Sequence, residues 1–533
     1  FLEYRFGVLS RTIMAIATMI ILVGVPTASV IYSGAKVTSV FFQGTSLLGL
    51  DMGDLTVGCW VIGISAAVYV YVGGLKACAW TDLIWGAALI VGGALILVFA
   101  LNALGAKDPQ ELIATKVATS NATVQQLADA GPIERLQLLN SGPVASGENL
   151  SGGKLHMVRP KSDPAIPWTA LLVGLWIPNF FYWGLNQYIM QRTLGSKSLA
   201  EGQLGIVFAA FLKLIIPFVV VIPGILAFNL YNKDLQAEGQ KKNAAVIAQF
   251  EAGEQKVFPF TQNFAALYPE LAARLAAHNA RVTGASAPDA TADAAALAAV
   301  SSSAVGNASA KNVTVATRLI GYDYDAAFGT LLKNLMKPGI TWFVLAAIFG
   351  AVVSSLASML NSASTIFTMD IVHKLRKDAS QASLVRTGRL SMLVFTVIAC
   401  LIAPSLGNPN FGGIFTFIQE FQGFISPGVL AVFLFGFLVH RAPRYIGWLG
   451  ILINAALYGT LKVAAPGIAF LDRMAICFGV VIAILTVLRF VNPLKEPVVM
   501  PVSNQIALES SALAKTCGIV VVVLTLALYA IFW

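Results

Sequence analysis

The sequence predicts an all-α protein that crosses a membrane many times. Three observations carry this. Hydrophobic residues make up 57% of the chain and charged ones 11%, with a mean hydropathy of +0.76, whereas soluble domains carry roughly 25% charged residues. About eleven apolar runs reach the roughly 18 residues that span a bilayer. They fall near 12–33, 54–72, 80–103, 168–190, 205–230, 340–369, 390–406, 414–439, 446–463, 474–491 and 514–532. Basic residues, finally, collect on one side of these runs.

Placing Phe1 in the cytoplasm puts Arg5, Arg11, Lys76, Arg192, Lys197, Lys374, Arg376, Lys377, Arg386, Arg389, Arg441, Arg444, Arg489, Lys495 and Lys515 in cytoplasmic loops. Only Lys36, Lys462 and Arg473 fall in short external ones, the asymmetry of the positive-inside rule. A multi-pass plasma-membrane protein with an external C-terminus follows. The net charge of +9 is explained by those loops, so the partner is the lipid bilayer and no nucleic acid is called for. Five cysteines, Cys59, Cys78, Cys400, Cys477 and Cys517, lie in apolar runs without metal-like spacing and read as packed thiols. The chain opens within a charged stretch, FLEYRFG, which reads as a truncation.

Two long polar segments, 104–167 and 232–338, interrupt the helices on the external side. The second begins with an amphipathic helix, LQAEGQKKNAAVIAQFEAGEQ, followed by GASAPDATADAAALAAVSSSAVGNASA, which reads as a mobile linker. Sequons stand at Asn121, Asn149, Asn307 and Asn312 and matter only in a glycosylating pathway. No tandem repeat is evident. Pro217, Pro223 and Pro427 mark kinks, and Gly73-Gly74 ends a helix.

The stretch AIFGAVVSSLASMLNSASTIFTMD, from Ala347 to Asp370, is apolar enough to span yet rich in hydroxyls. On a helix Ala351, Ser354 and Ser355 stand at i, i+3 and i+4 and share a face, with Ser358 and Ser362 further along. Two hydroxyls beside a carbonyl are hard ligands for a small cation; the same small residues also allow close helix packing. Ionisable groups at bilayer depth cost roughly 2.5–3.5 kcal/mol and mark pathways or partners. Lys213 is one, unless it snorkels to the surface. Asn179, followed by Tyr182 and Trp183, suits a polyol, or an interhelical hydrogen bond. Gln419 and Glu420, with Phe415 one turn earlier, line an entry path or sit solvated near the interface. Asp82 lies at the cytoplasmic end of its helix, able to pair with Lys76 or Arg192.

The motifs FLEYRF, YVGGLKACAWTD, NFFYWGLNQYIMQRTLGSKS, GIVFAAFLKLIIPFVVVIPGI, VVSSLASMLNSASTIFTMDI and IQEFQGFISPGVLAVFLFGF resemble those of the sodium:solute symporter family, most of all its bacterial sodium/galactose (sodium/glucose-type) cotransporters. They run from residue 1 to about 440, and both polar segments fall outside the likeness. The resemblance implies the leucine-transporter-like fold of five plus five inverted-repeat helices. It divides the chain into 1–103 (helices three to five of the first repeat), the loop 104–167, 168–231 (helices six and seven), the loop 232–338, 339–440 (helices eight to ten) and 441–533 (three peripheral helices). Core helices one and two would precede FLEYRF, and the expectation is that they are absent here.

The resemblance also assigns roles. Ala351, Ser354 and Ser355 match sodium ligands; Asn179, Lys213 and Gln419 match sugar contacts. Tyr182 matches an inner gate, Phe415 an outer one, and Asp82 an acid on the ion path. Pro26 departs from the pattern, standing where sugar transporters of this type carry an Asn. The expected function is sodium-driven uptake of a neutral sugar, with sodium as coupling ion and no other cofactor. Alternatives are symport of myo-inositol, a nucleoside or a carboxylate, or a transport-inactive sensor or scaffold. No nucleophile–base pair or metal-ligand cluster supports an enzyme.

Overall fold

A computed structural model describes residues 1–114, 122–140, 153–161, 166–289, 292–308, 310–335, 337–500 and 509–532. Asn121 and Asn149 lie outside the described residues, as does the side chain of Lys76. Ten helices among the described residues are long and apolar enough to span a membrane. In chain order, with one shorter helix, they are α1 (Val8–Phe41), α2 (Leu55–Gly74), α3 (Cys78–Ala106), the short α4 (Ala170–Gly184), α5 (Leu199–Glu251), α6 (Pro338–Leu375), α7 (Gln381–Gly407), α8 (Ile414–Leu438), α9 (Ile446–Ala464), α10 (Phe470–Val491) and α11 (Ala512–Ile531).

The expected continuous span over 168–190 is therefore corrected. Its helix ends at Gly184, and Asn186 is extended before a second helix, Gln187–Thr193. The Asn186 side-chain oxygen is buried in the break without a hydrogen-bond partner. Other irregularities have local causes. Pro26 has no N–H to continue the ladder and sits in a π-helical turn, Val23–Thr27; the Thr27 hydroxyl donates to the Leu22 carbonyl at 2.7 Å. Pro217 opens a similar turn in α5. The φ of +57° at Gly74 lets α2 hand over to α3. Pro427 starts the second half of α8, in the first turn of Ser426–Leu438.

The main core joins α1, α2, α6 and α7 around Tyr32, Cys59, Cys400 and Leu356. The five cysteines are free thiols, four of them buried. The FLEYRF motif forms a short helix, Leu2–Phe6, whose fully buried Arg5 donates to the Gly436 carbonyl (3.2 Å) in the last turn of α8 and to the Ala442 carbonyl (3.3 Å) in the loop that follows. A guanidinium there satisfies terminal carbonyls and the helix dipole together. Arg135, in the first polar segment, does the same for Leu104 (3.0 Å) at the end of α3.

The second polar segment is a packed unit. The far half of α5 carries the expected amphipathic helix, burying Leu235, Gly239, Asn243 and Val246 on one face. The supposed linker instead contains a helix, Ala294–Ala308, with Leu297, Ser301, Ala304 and Ala308 buried. Alanine is the strongest helix former, and those positions give the run one face to bury against Pro269–Thr283.

Candidate functional site: a hydroxyl stripe and an aromatic–amine cluster

The centre of α6 lies against α3 because Gly350 has no side chain: a Cβ there would fall 2.1 Å from the Trp85 ring. Gly92 meets Val344 in the same seam, so the two helices run antiparallel. Asp82, three residues before Trp85, consequently faces the turn of α6 that follows Gly350, where Ser354 and Ser358 lie.

Ser354 is buried, and its hydroxyl oxygen has no hydrogen-bond partner. Leaving such a group unsatisfied costs about 1–3 kcal/mol. The Ser358 hydroxyl donates to the Ser354 carbonyl at 3.2 Å and accepts from the Arg192 guanidinium, which also pairs with Asp82. Ser362, one turn on, is a second buried hydroxyl without a partner. Ala351 is half-buried, whereas Ser355 is exposed, so the two neighbouring serines do not share one environment. Asp82, Arg192 and Ser358 thus form one bonded group, with the unpartnered Ser354 hydroxyl one turn before Ser358 on α6. Spacing on α6 pointed to the serines, and the pairing of Asp82 with Arg192 offered by the sequence is present; the contact of Arg192 with Ser358 was not anticipated.

Asn179 and Tyr182 lie on α4. The Asn179 amide nitrogen donates to the Leu175 carbonyl at 2.8 Å, leaving its oxygen as an acceptor. Lys213 of α5 does not turn away from the bundle: its amine sits 5.0 Å from the ring centroids of both Tyr182 and Trp183, a cation–π geometry. Tyr182 packs edge-on against Tyr188, across the break after α4. Tyr182, Trp183 and Lys213 therefore form one group, with Asn179 one turn earlier on α4.

Gln419 lies on α8. Its side-chain oxygen is buried without a hydrogen-bond partner, and among the described residues no hydrogen bond links it to Asn179 or Lys213. Phe415, one turn earlier and exposed, meets Phe470 edge-on at 6.5 Å. Glu420 is held by three partners. It accepts from Tyr458 (3.2 Å) and pairs with Arg473 (3.1 Å) and Lys462 (3.3 Å), tying α8 to α9 and α10. Lys36, Lys462 and Arg473, assigned above to short loops, all lie on helices, each with carboxylate partners. On the Phe1 face a further network, Glu3–Arg11–Asp370 with Lys374 on Glu3 (2.9 Å), joins the first helix to α1 and to the end of α6.

Comparison with known proteins places this architecture. The model of the sodium:solute symporter family matches residues 1–279 and 295–453. The chain belongs to the sodium:solute symporter family. Every candidate residue above falls within the matched ranges. The match also runs through 104–167 and most of 232–338, so the expectation that both polar segments lie outside the family likeness is corrected. A sodium/glucose cotransporter of Vibrio parahaemolyticus is 31% identical over the whole chain, which spans 79% of that protein. A bovine sodium/myo-inositol cotransporter 2 is 24% identical over 74% of the chain, which spans 46% of it. Among solved structures, an outward-open sodium-coupled sialic acid symporter superposes with a TM-score of 0.56 at 18% identity, covering 93% of this chain and 76% of that one. The fold is accordingly leucine-transporter-like, and the family is one of transporters and not of enzymes.

Proposed function

We propose that this protein couples inward sodium movement to uptake of a neutral sugar of the galactose/glucose type by alternating access. The observation that carries the reading is the buried, unpartnered Ser354 hydroxyl, held midway along α6 one turn before Ser358, whose hydroxyl shares the Arg192 guanidinium with Asp82, in a member of a sodium-coupled family. Ser354 and Ser355, with the Ala351 carbonyl, supply sodium oxygens. Asp82 receives the ion on its way in, exchanging it against the Arg192 guanidinium. Asn179, Lys213 and Gln419 hold sugar hydroxyls, while Tyr182 and Phe415 close the path below and above.

The sugar assignment is supported by the Vibrio relative and by an acceptor, an amine and two rings grouped at Asn179, Lys213, Tyr182 and Trp183. The face bearing Phe1 is cytoplasmic and the long polar segments are external, as the basic loops require. Helix 1–103, 168–231 and 339–440 segments make up the transport core. Each sodium ion contributes about 2.3 kcal/mol per 100 mV, enough to concentrate a neutral sugar about fifty-fold.

A second reading, a carboxylate solute, draws on Lys213, which has no carboxylate within ion-pair distance among the described residues. Uptake of labelled galactose, glucose and a sugar acid by proteoliposomes separates the two. Loss of sodium-driven galactose uptake in Ser354→Ala and Ser355→Ala is expected; unchanged uptake in both would refute the sodium site.

A further inference from the structure

A cavity of about 470 Å³ lies between the second polar segment and the entry to α8. Such a volume is within the range of small-molecule sites. Its walls include Arg318, Tyr324 and Asp325 on one side and Ile414 and Phe415 on the other. Phe415 precedes Gln419 by one helical turn, about 6 Å at 1.5 Å per residue. The cavity therefore stands over the entrance to the path proposed above.

The walls are pinned. The Tyr32 hydroxyl of α1 donates to one Asp325 oxygen at 2.9 Å. Asp323 pairs with Lys36 of α1 and Lys242 of α5, each at 3.0 Å. The Arg318 backbone N–H donates to the Asn410 side chain at 2.7 Å, in the loop leading to α8. These contacts leave two polar groups over. Among the described residues, the Arg318 guanidinium has no carboxylate within ion-pair distance. Asp325 has no cation within that distance either, and its second oxygen makes no hydrogen bond.

The charged lining is Lys242 and Arg318 against Asp323 and Asp325, two of each sign, so the cavity has no net charge. The two unpaired charges are of opposite sign, so neither an anion nor a cation is favoured by the net field there. A free donor fork, a free acceptor and the exposed rings of Tyr324 and Phe415 suit a neutral molecule with many hydroxyls and an apolar face. We propose that this cavity is a second, sodium-independent binding site for a neutral polyol such as a hexose, filled before the solute passes Phe415. The inference deepens the sugar-transport reading and rests on it for the choice of ligand.

The test is saturation-transfer NMR of galactose, glucose and myo-inositol with the purified protein in sodium-free potassium buffer. Two variant pairs are compared: Arg318→Gln with Asp325→Asn for the cavity, and Asn179→Ala with Gln419→Ala for the central group. Asp325→Asn keeps an acceptor for Tyr32, and thermal unfolding of each variant checks folding. A signal that survives the central pair and falls about tenfold or more in the cavity pair is expected, as one charged hydrogen bond implies. The cavity variants should also raise the KM for sodium-driven uptake while leaving its maximal rate unchanged. A signal absent for all three polyols, unchanged in the cavity pair, or lost in the central pair would overturn the proposal. If the wild type shows no sodium-driven uptake while the cavity signal behaves as expected, the transport reading fails and the site stands.

Discussion

Replacing Ser354 by alanine is expected to have opposite effects with and without sodium. In the sodium-free protein the Ser354 hydroxyl is buried and unpartnered, so its removal relieves a penalty of about 1–3 kcal/mol. Alanine also favours the helix interior over serine, and the lost oxygen leaves only a small void. The variant should unfold at a higher temperature in choline or potassium buffer. With sodium present, the proposed site makes the same oxygen a ligand to a charge, a contact of about 1.5–3 kcal/mol, so its loss should lower affinity roughly ten- to hundredfold. Since a ligand at free concentration L that binds only the folded state stabilises it by RT ln(1 + L/Kd), the sodium-induced rise in midpoint should shrink or vanish. Thermal unfolding of wild type and Ser354→Ala across a sodium titration reads both effects. A variant that is less stable without sodium, or that keeps the full sodium shift, would refute the reasoning.

Three further outcomes follow from the charged groups. Arg192→Ala removes the cation lodged against Asp82 and Ser358, so the half-saturating sodium concentration for uptake should fall; a rise would show that Arg192 supports the site. Arg473→Met leaves the partly buried Glu420 without its closest cation and should cost about 3 kcal/mol, as breaking a buried pair does. Adding Glu420→Gln should recover part of that loss in a double-mutant cycle of unfolding midpoints. The junction of the second polar segment should respond to acid in two stages. Burial opposes the charge on Asp323, but Lys36 and Lys242 outweigh it and hold the carboxyl below the ordinary aspartate range. Burial and the charge of Asp323 push Asp325 above that range, against Lys242, the Tyr32 hydrogen bond and Lys36. The unfavourable charge of Asp325 is relieved first as pH falls through its raised pKa. The stabilisation from Asp323 is lost later, as pH falls through its lowered one. Hydrogen exchange over 239–246, corrected for the intrinsic rate, should slow and then quicken on acidification; a monotonic change would contradict the pairing.

Much of the architecture was legible because membrane spans are written in long apolar runs, and the seam of α3 and α6 in glycine and serine. The short α4 was misread as a full span because hydropathy alone does not register the extended Asn186 that breaks it. The Ala/Ser-rich run looked like a linker because alanine contributes little hydrophobic contrast; its helix becomes apparent only when Leu297 and Ala304 are seen against Pro269–Thr283. Ser354 was visible from spacing within one helix. The Asp82–Arg192 pair was also anticipated from charge; what was not visible is that the same guanidinium reaches the Ser358 hydroxyl, a contact between separate elements made only by tertiary packing. Glu420 misled for the same reason: its three partners lie on α9 and α10.

The most direct test of the account is simultaneous measurement of labelled sodium and labelled galactose entering proteoliposomes at a clamped membrane potential. Sodium-dependent galactose entry, accompanied by galactose-dependent sodium entry and rising with an inside-negative potential, is the predicted result. Galactose entry indifferent to sodium and potential, or sodium entry indifferent to every solute tried, would contradict coupling at the α6 hydroxyl stripe.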